Sequence, residues 1–124
     1  MHNEDWKRAF LAGLTMTTLA LAACGGGGGA SPDQIAAGQA EFRKTCATCH
    51  GPNAQGMERL GKNLHENAFV QSKSNAELVE FIKRGRPATH PDNLRGVDMP
   101  PRGGNPALKD EQIELIVAYV RSLQ

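Results

Sequence analysis

Cys46-Ala47-Thr48-Cys49-His50 decides how the rest of this 124-residue chain is read. Two thiols three positions apart stand about one helical turn from each other, with an imidazole directly after the second. That spacing is the signal for covalent attachment of a c-type haem. Each sulfur adds to one of the two haem vinyl groups, and the histidine is held beneath the iron as the proximal ligand. Two other readings fit the pattern less well. A thioredoxin-like redox pair wants a βαβ setting, and no alternation of strand and helix patterns surrounds this one. Half of a zinc site would need further thiols, and the remaining cysteine, Cys24, has a different assignment. The motif predicts one covalent haem c with its iron, and so either electron transfer or ligand chemistry at that metal.

The N-terminal residues read as an address. Lys7 and Arg8 precede an apolar run from Phe10 to Ala23, a length that suits a signal-peptide core and falls short of the ~20 residues needed to span a bilayer. The run closes on Leu21-Ala22-Ala23-Cys24, which resembles the lipobox of bacterial lipoproteins. The resemblance implies cleavage after residue 23 and a lipid on the sulfur of Cys24. Residues 25–29 are five consecutive glycines, so 24–31 reads as a lipidated cysteine plus a flexible tether. Its seven steps reach at most about 25 Å, keeping the following domain close to the membrane surface. A diacylglyceryl group joined by a further acyl chain exceeds the two-chain requirement for stable anchoring. With Cys24 lipidated and Cys46 and Cys49 on the haem, none of the 3 cysteines is left for a structural disulfide. The covalent cofactor is then the staple that a domain of this size needs.

Beyond residue 31 the pattern is helical throughout. Ser31-Pro32-Asp33-Gln34 combines a serine N-cap, a proline at the first helical position and a glutamine at the third. Ile35, Gly38 and Phe42 follow on one face. Ser74-Asn75-Ala76-Glu77 is a second capping box, opening a helix with Leu78, Phe81 and Ile82 inward and Gly85 as its stop. A last helix is expected from Asp110 to Leu123, with a stripe of Ile113, Ile116, Val117 and Val120 and Tyr119 alongside. Segments 51–73 and 86–109 read as long loops rich in Gly, Pro and Asn, able to wrap a flat cofactor.

Over residues 32–124 this order resembles the class I monohaem cytochromes c: helix, haem motif, middle helix, methionine loop, C-terminal helix. The resemblance implies an all-α, small cytochrome c-like fold wrapped around one haem. It implies a close crossing of the first and last helices, with Gly38 letting the backbones approach and Phe42, Ile116 and Tyr119 filling the contact. It also implies that Met99, in Val97-Asp98-Met99-Pro100-Pro101, is the second iron ligand. A thioether favours ferrous iron and raises the potential relative to two nitrogen ligands, while the prolines reduce the entropy lost in ordering the loop. Rival ligands are His65, His90 and Met57, the last only seven residues past His50. Pro52 is expected to place its carbonyl region near His50 and orient the imidazole. Leu60-Gly61-Lys62-Asn63-Leu64 resembles the family's haem-edge loop, with Lys62 where proline is common. Lys109 stands where the family often has a Ser or Thr cap, leaving Asp110 as an alternative cap.

Charge is nearly balanced, 14 Lys and Arg against 13 Asp and Glu, without the polybasic block a nucleic-acid partner would demand. Lys83, Arg84, Arg86 and Arg95 gather in one region of sequence, fit to solvate a helix end, to meet an acidic partner or to hold a haem propionate. The sequence therefore predicts no enzyme. It predicts a lipid-anchored electron carrier on the periplasmic side of a bacterial membrane, serving redox-protein donors and acceptors. Two alternatives stand beside it: a gas- or peroxide-binding haem protein with an open sixth position, and the cytochrome subunit of a larger dehydrogenase or oxidase.

Overall fold

A computed structural model describes residues 29–124. The expected signal segment 1–23, Cys24 and the first residues of the tether lie outside the described residues. Five α-helices follow one another: α1 Pro32–Thr45, α2 Ala47–His50, α3 Ala68–Gln71, α4 Asn75–Arg84 and α5 Asp110–Arg121, with a short 3-10 turn at Pro101–Gly104 before the last. Among the described residues there is no strand, only one isolated antiparallel bridge between Arg86 and Met99. The all-α expectation holds.

Helix starts follow the expected chemistry. Ser31 Oγ accepts from the Gln34 amide at 3.2 Å and Gln34 Oε1 accepts from the Ser31 amide at 2.9 Å. Ser74 and Glu77 repeat the same reciprocal pair at α4, at 3.2 and 2.7 Å. At α5 the cap residue is Lys109, not Asp110. A lysine side chain has no acceptor to offer, so the end is satisfied from one side: Gln112 Oε1 accepts from the Lys109 amide at 2.9 Å. Helix α3 falls inside a stretch read as loop. Its cap is Asn67, whose Oδ1 accepts from the amides of Phe69 and Val70 at 3.1 and 3.2 Å.

The core is the crossing of α1 and α5. A Cβ on Gly38 would lie 1.9 Å from the carbonyl oxygen of Leu115 and 3.1 Å from Tyr119 Cβ, so only glycine lets the two backbones meet. One turn on, Phe42 meets Tyr119 edge to face, ring centroids 5.3 Å apart, a contact adding about 0.5–1.5 kcal/mol beyond its burial. Ile113, Ile116, Val117 and Val120 complete the buried stripe of α5. Arg121 ties the end of α5 to the rest: its guanidinium donates to the Val70 and Lys73 carbonyls and to Asn75 Oδ1.

Candidate cofactor site

Cys46 ends α1 and caps α2. Its amide donates to the Phe42 carbonyl at 2.7 Å, and its own carbonyl accepts from Cys49 and His50 at 3.1 and 3.0 Å. The two thiols and the imidazole thus ride on a single helical turn, which Gly51 terminates with φ +79°. The return loop is laced to that turn. Gly56 donates to the His50 carbonyl at 2.7 Å and Gly61 to the Cys49 carbonyl at 2.9 Å. His50 Nδ1 lies 2.8 Å from the Lys62 carbonyl oxygen. A carbonyl only accepts, so Nδ1 carries the proton and Nε2 is left as the nitrogen with a lone pair. Burial pushes the imidazole pKa below its ordinary value, opposed by that hydrogen bond. Burial likewise pushes the Cys46 thiol up to about 12, with Cys49 adding to the shift.

The carbonyl that holds His50 is not the expected one. The Pro52 carbonyl oxygen instead accepts from Arg43 Nε at 3.3 Å. Lys62 serves instead, through its backbone alone, so its side chain in place of proline does not disturb the bond. Gly61, read only as part of the haem-edge loop, makes this possible: a Cβ there would lie 2.6 Å from the Cys49 carbonyl oxygen and 2.8 Å from His50 Nδ1.

Met99 is seated by a closed loop. Its amide donates to the Arg86 carbonyl and its carbonyl accepts from the Arg86 amide, each at 2.8 Å. Gly85, expected only to stop α4, has φ +71°, and a Cβ there would fall 2.3 Å from the Met99 carbonyl oxygen. Asn93 braces the interior of the loop, donating to the carbonyls of Pro87 and Val97 at 3.0 and 2.7 Å. Asp98 accepts from the Ala88 amide. The sequence signal for all of this was a methionine followed by two prolines; the pairing with Arg86 carried none.

Cys46, Cys49, His50 and Met99 line one cavity of about 390 Å3. Its walls are the hydrophobic core itself, Phe42, Val70, Leu78, Ile116, Val117 and Val120, with Lys62, Asn67, Asn93 and Arg95 among its polar lining. The rival ligands lie elsewhere. Met57 is exposed. His65 Nε2 is bonded to the Asn53 carbonyl at 2.7 Å. His90 Nδ1 accepts from the Asp92 amide at 3.1 Å, and the residue lines a groove that shares the Phe69, Phe81 and Arg86 wall with this cavity. Of the basic residues near α4, Lys83 is paired with Glu80 at 2.8 Å and Asp110 at 3.0 Å, the Arg86 guanidinium packs on aromatic rings, and Arg95 lines the cavity.

An all-α fold wrapped around an apolar cavity that holds two thiols, an imidazole and a thioether defines the class, a c-type cytochrome. Residues 33–120 match the family described as cytochrome c oxidase, cbb3-type, subunit III, and the chain belongs to that family. Among its relatives is the cbb3-type cytochrome c oxidase subunit CcoP of Rhodobacter capsulatus, 34% identical over 88 residues, which are 70% of this chain and 28% of the relative. Subunit FixP of Azorhizobium caulinodans is 34% identical over 99 residues, 77% of this chain and 30% of the relative. Cytochrome c-555 of Chlorobaculum thiosulfatiphilum is 33% identical over 85 residues, 68% of this chain and 91% of that protein. The chain therefore spans under a third of the oxidase subunits and nearly all of the small cytochrome. No solved structure matches it.

The family's cofactor is covalent haem c with its iron, and the residues present fit it. A large apolar macrocycle needs a wall of aliphatic and aromatic side chains; its iron needs nitrogen or sulfur donors within that wall. The cavity offers both. Among the described residues no group of three or more His, Cys, Asp or Glu is arranged to hold a metal ion by itself, and no helix is long and apolar enough to cross a membrane.

Proposed function

We propose that this chain is a membrane-tethered monohaem cytochrome c that passes single electrons between redox-protein partners outside the cytoplasmic membrane. The observation that carries the reading is that Cys46, Cys49, His50 and Met99 line the same apolar cavity. Haem c supplies a one-electron ferric/ferrous couple when bound. Cys46 and Cys49 hold it through thioether bonds. His50 is the proximal ligand through Nε2, oriented by the Lys62 carbonyl on Nδ1. Met99 is the distal ligand, its backbone held by Arg86. The apolar side chains around the cavity lower the local dielectric, so the two ligands and their surroundings would set the potential. With His50 and Met99 as the donors that would hold the iron, the group would supply one-electron transfer. Cys24 takes the lipid that keeps this domain at the membrane surface.

A redox titration tests the reading. The loaded protein should follow a one-electron Nernst curve, and Met99→His should lower the midpoint potential, because an imidazole stabilises ferrous iron less than a thioether does. A midpoint unmoved by that substitution would remove Met99 from the iron. Cys24→Ser should shift the protein from the membrane fraction to the soluble fraction; unchanged sedimentation would remove the lipid anchor.

A second reading is favoured by the names of the relatives. The CcoP and FixP proteins are subunits of a cbb3-type oxidase, so this chain could deliver electrons as a component of such an assembly. Co-purification of an oxidase with the tagged chain would decide for the assembly.

A further inference from the structure

Met99 is bonded along its backbone to one residue, and that residue is anchored in an unusual way. Arg86 follows Gly85, the glycine that lets the chain turn tightly against Met99 and Pro100. The Arg86 guanidinium carbon lies 4.6 Å from the centroid of the Phe69 ring and 4.8 Å from that of Phe81. The two rings are themselves 5.0 Å apart and tilted by 58°. A half-buried cation thus caps an aromatic pair contributed by α3 and α4, both rings lining the cavity. Each such contact falls within the range where a cation and a ring attract measurably, and the attraction grows as water is removed.

We infer that Arg86 is a positioning residue for Met99: its side chain, fixed on Phe69 and Phe81, holds the backbone bridge that keeps the methionine at the cavity wall. This rests on Met99 being the distal ligand. The backbone clamp alone joins two loop segments, and a two-bond bridge outside any sheet has little cooperative support. The guanidinium ties that bridge to α3 and α4. Removing it leaves the two hydrogen bonds possible but frees the Arg86 backbone to move away from the helices, and Met99 with it. The result is a larger fraction of molecules with the methionine off the iron, not a different fold.

Exogenous imidazole reads that fraction, since it takes the sixth position only when Met99 has left. Its apparent affinity in the ferric state scales with the open population. The experiment titrates imidazole into haem-loaded wild type, Arg86→Gln, Arg86→Ala and Ser74→Ala, with the methionine–iron charge-transfer band recorded alongside. Ser74→Ala removes the cap at the far end of α4 and so serves as a destabilised control. Imidazole should bind about tenfold more tightly to the Arg86 variants, the scale set by losing contacts to two rings. The control should melt earlier but bind imidazole as wild type does. Should Arg86→Ala fail to load, Arg86→Gln carries the comparison. Arg86 variants indistinguishable from wild type, or a control that shifts as much as they do, would overturn the inference while leaving Met99 as ligand. A wild type without the charge-transfer band would instead overturn the proposed ligation, and this inference with it.

Discussion

At Gly38 a hydrogen atom stands where a methyl group would meet the Leu115 carbonyl oxygen at 1.9 Å. In an ordinary helix, Gly→Ala stabilises by about 1 kcal/mol through propensity. Here the clash is with backbone, which cannot rotate aside, so Gly38→Ala should lower stability by about 1–3 kcal/mol or more. Urea unfolding of the loaded protein checks the sign; a raised midpoint would mean that α1 and α5 can separate at no cost. Gly61 and Lys62 form a matched pair. Gly61→Ala would drive a methyl into the His50 imidazole and should lower Tm by the same overpacking mechanism. Lys62→Ala keeps the carbonyl that His50 uses and should change stability by less than about 0.5 kcal/mol. Equal losses from the two would mean that the lysine side chain, and not its backbone, supports the site. Gly38 was legible in the sequence because it sits at helical spacing from Phe42 and the motif. Gly61 and Gly85 were named as a loop residue and a helix stop, but their close approaches were not legible, since His50 and Met99 are 11 and 14 residues away in the chain and meet them only in the fold.

The junction of α4, the Pro101–Gly104 turn and α5 is closed by charge. Asp110, the first residue of α5, pairs with Lys83 at 3.0 Å and Arg102 at 2.7 Å. Hydrogen bonds from Lys83, and then from Arg102, hold its carboxyl below its ordinary 3.8. The folded protein therefore binds that proton less readily than the unfolded chain does. The contribution is complete above the unfolded value and lost as pH falls through the folded one. Asp110→Asn should accordingly lower Tm at neutral pH and flatten its decline in the acid range below about pH 4. Parallel Tm profiles for the two proteins would contradict the pairing. The α4 cap gives a second test at this scale: Ser74→Ala should cost about 1 kcal/mol of stability, measured by urea unfolding. Helices α1, α4 and α5 could be read in advance because capping boxes and 3.6-residue periodicity are local signals. Helix α3 is a single turn without room for periodicity, and only Asn67 marked it. The closed loop from Arg86 to Met99 depends on one pair of backbone bonds and on the Asn93 side chain, which no periodic pattern encodes.

For the molecule as a whole, the core and the cofactor site are one structure. Phe42, Val70, Leu78, Ile116, Val117 and Val120 are both the buried core and the cavity wall. Leaving a cavity of about 390 Å3 unfilled would cost at most ~9 kcal/mol at roughly 24 cal/mol per Å3, an upper bound because this one opens to water. That approaches the whole stability of a typical domain, about 5–15 kcal/mol. The Cys46→Ala/Cys49→Ala variant should therefore lose most of its helical circular dichroism; a native-like spectrum without covalent haem would show that the helices stand alone. The cofactor and its attachment points were legible in one five-residue motif, whereas Met99 as the proposed second ligand was legible only through resemblance, since a lone methionine has no spacing rule. The most direct test of the account is the optical spectrum of the loaded protein in both redox states, with carbon monoxide added to the ferrous form and Met99→Ala run in parallel. The account predicts a methionine–iron charge-transfer band in the ferric protein, its loss in Met99→Ala, and no carbon monoxide binding by ferrous wild type. Absence of the band together with prompt carbon monoxide binding by the wild type would contradict it and move the protein to the ligand-binding class.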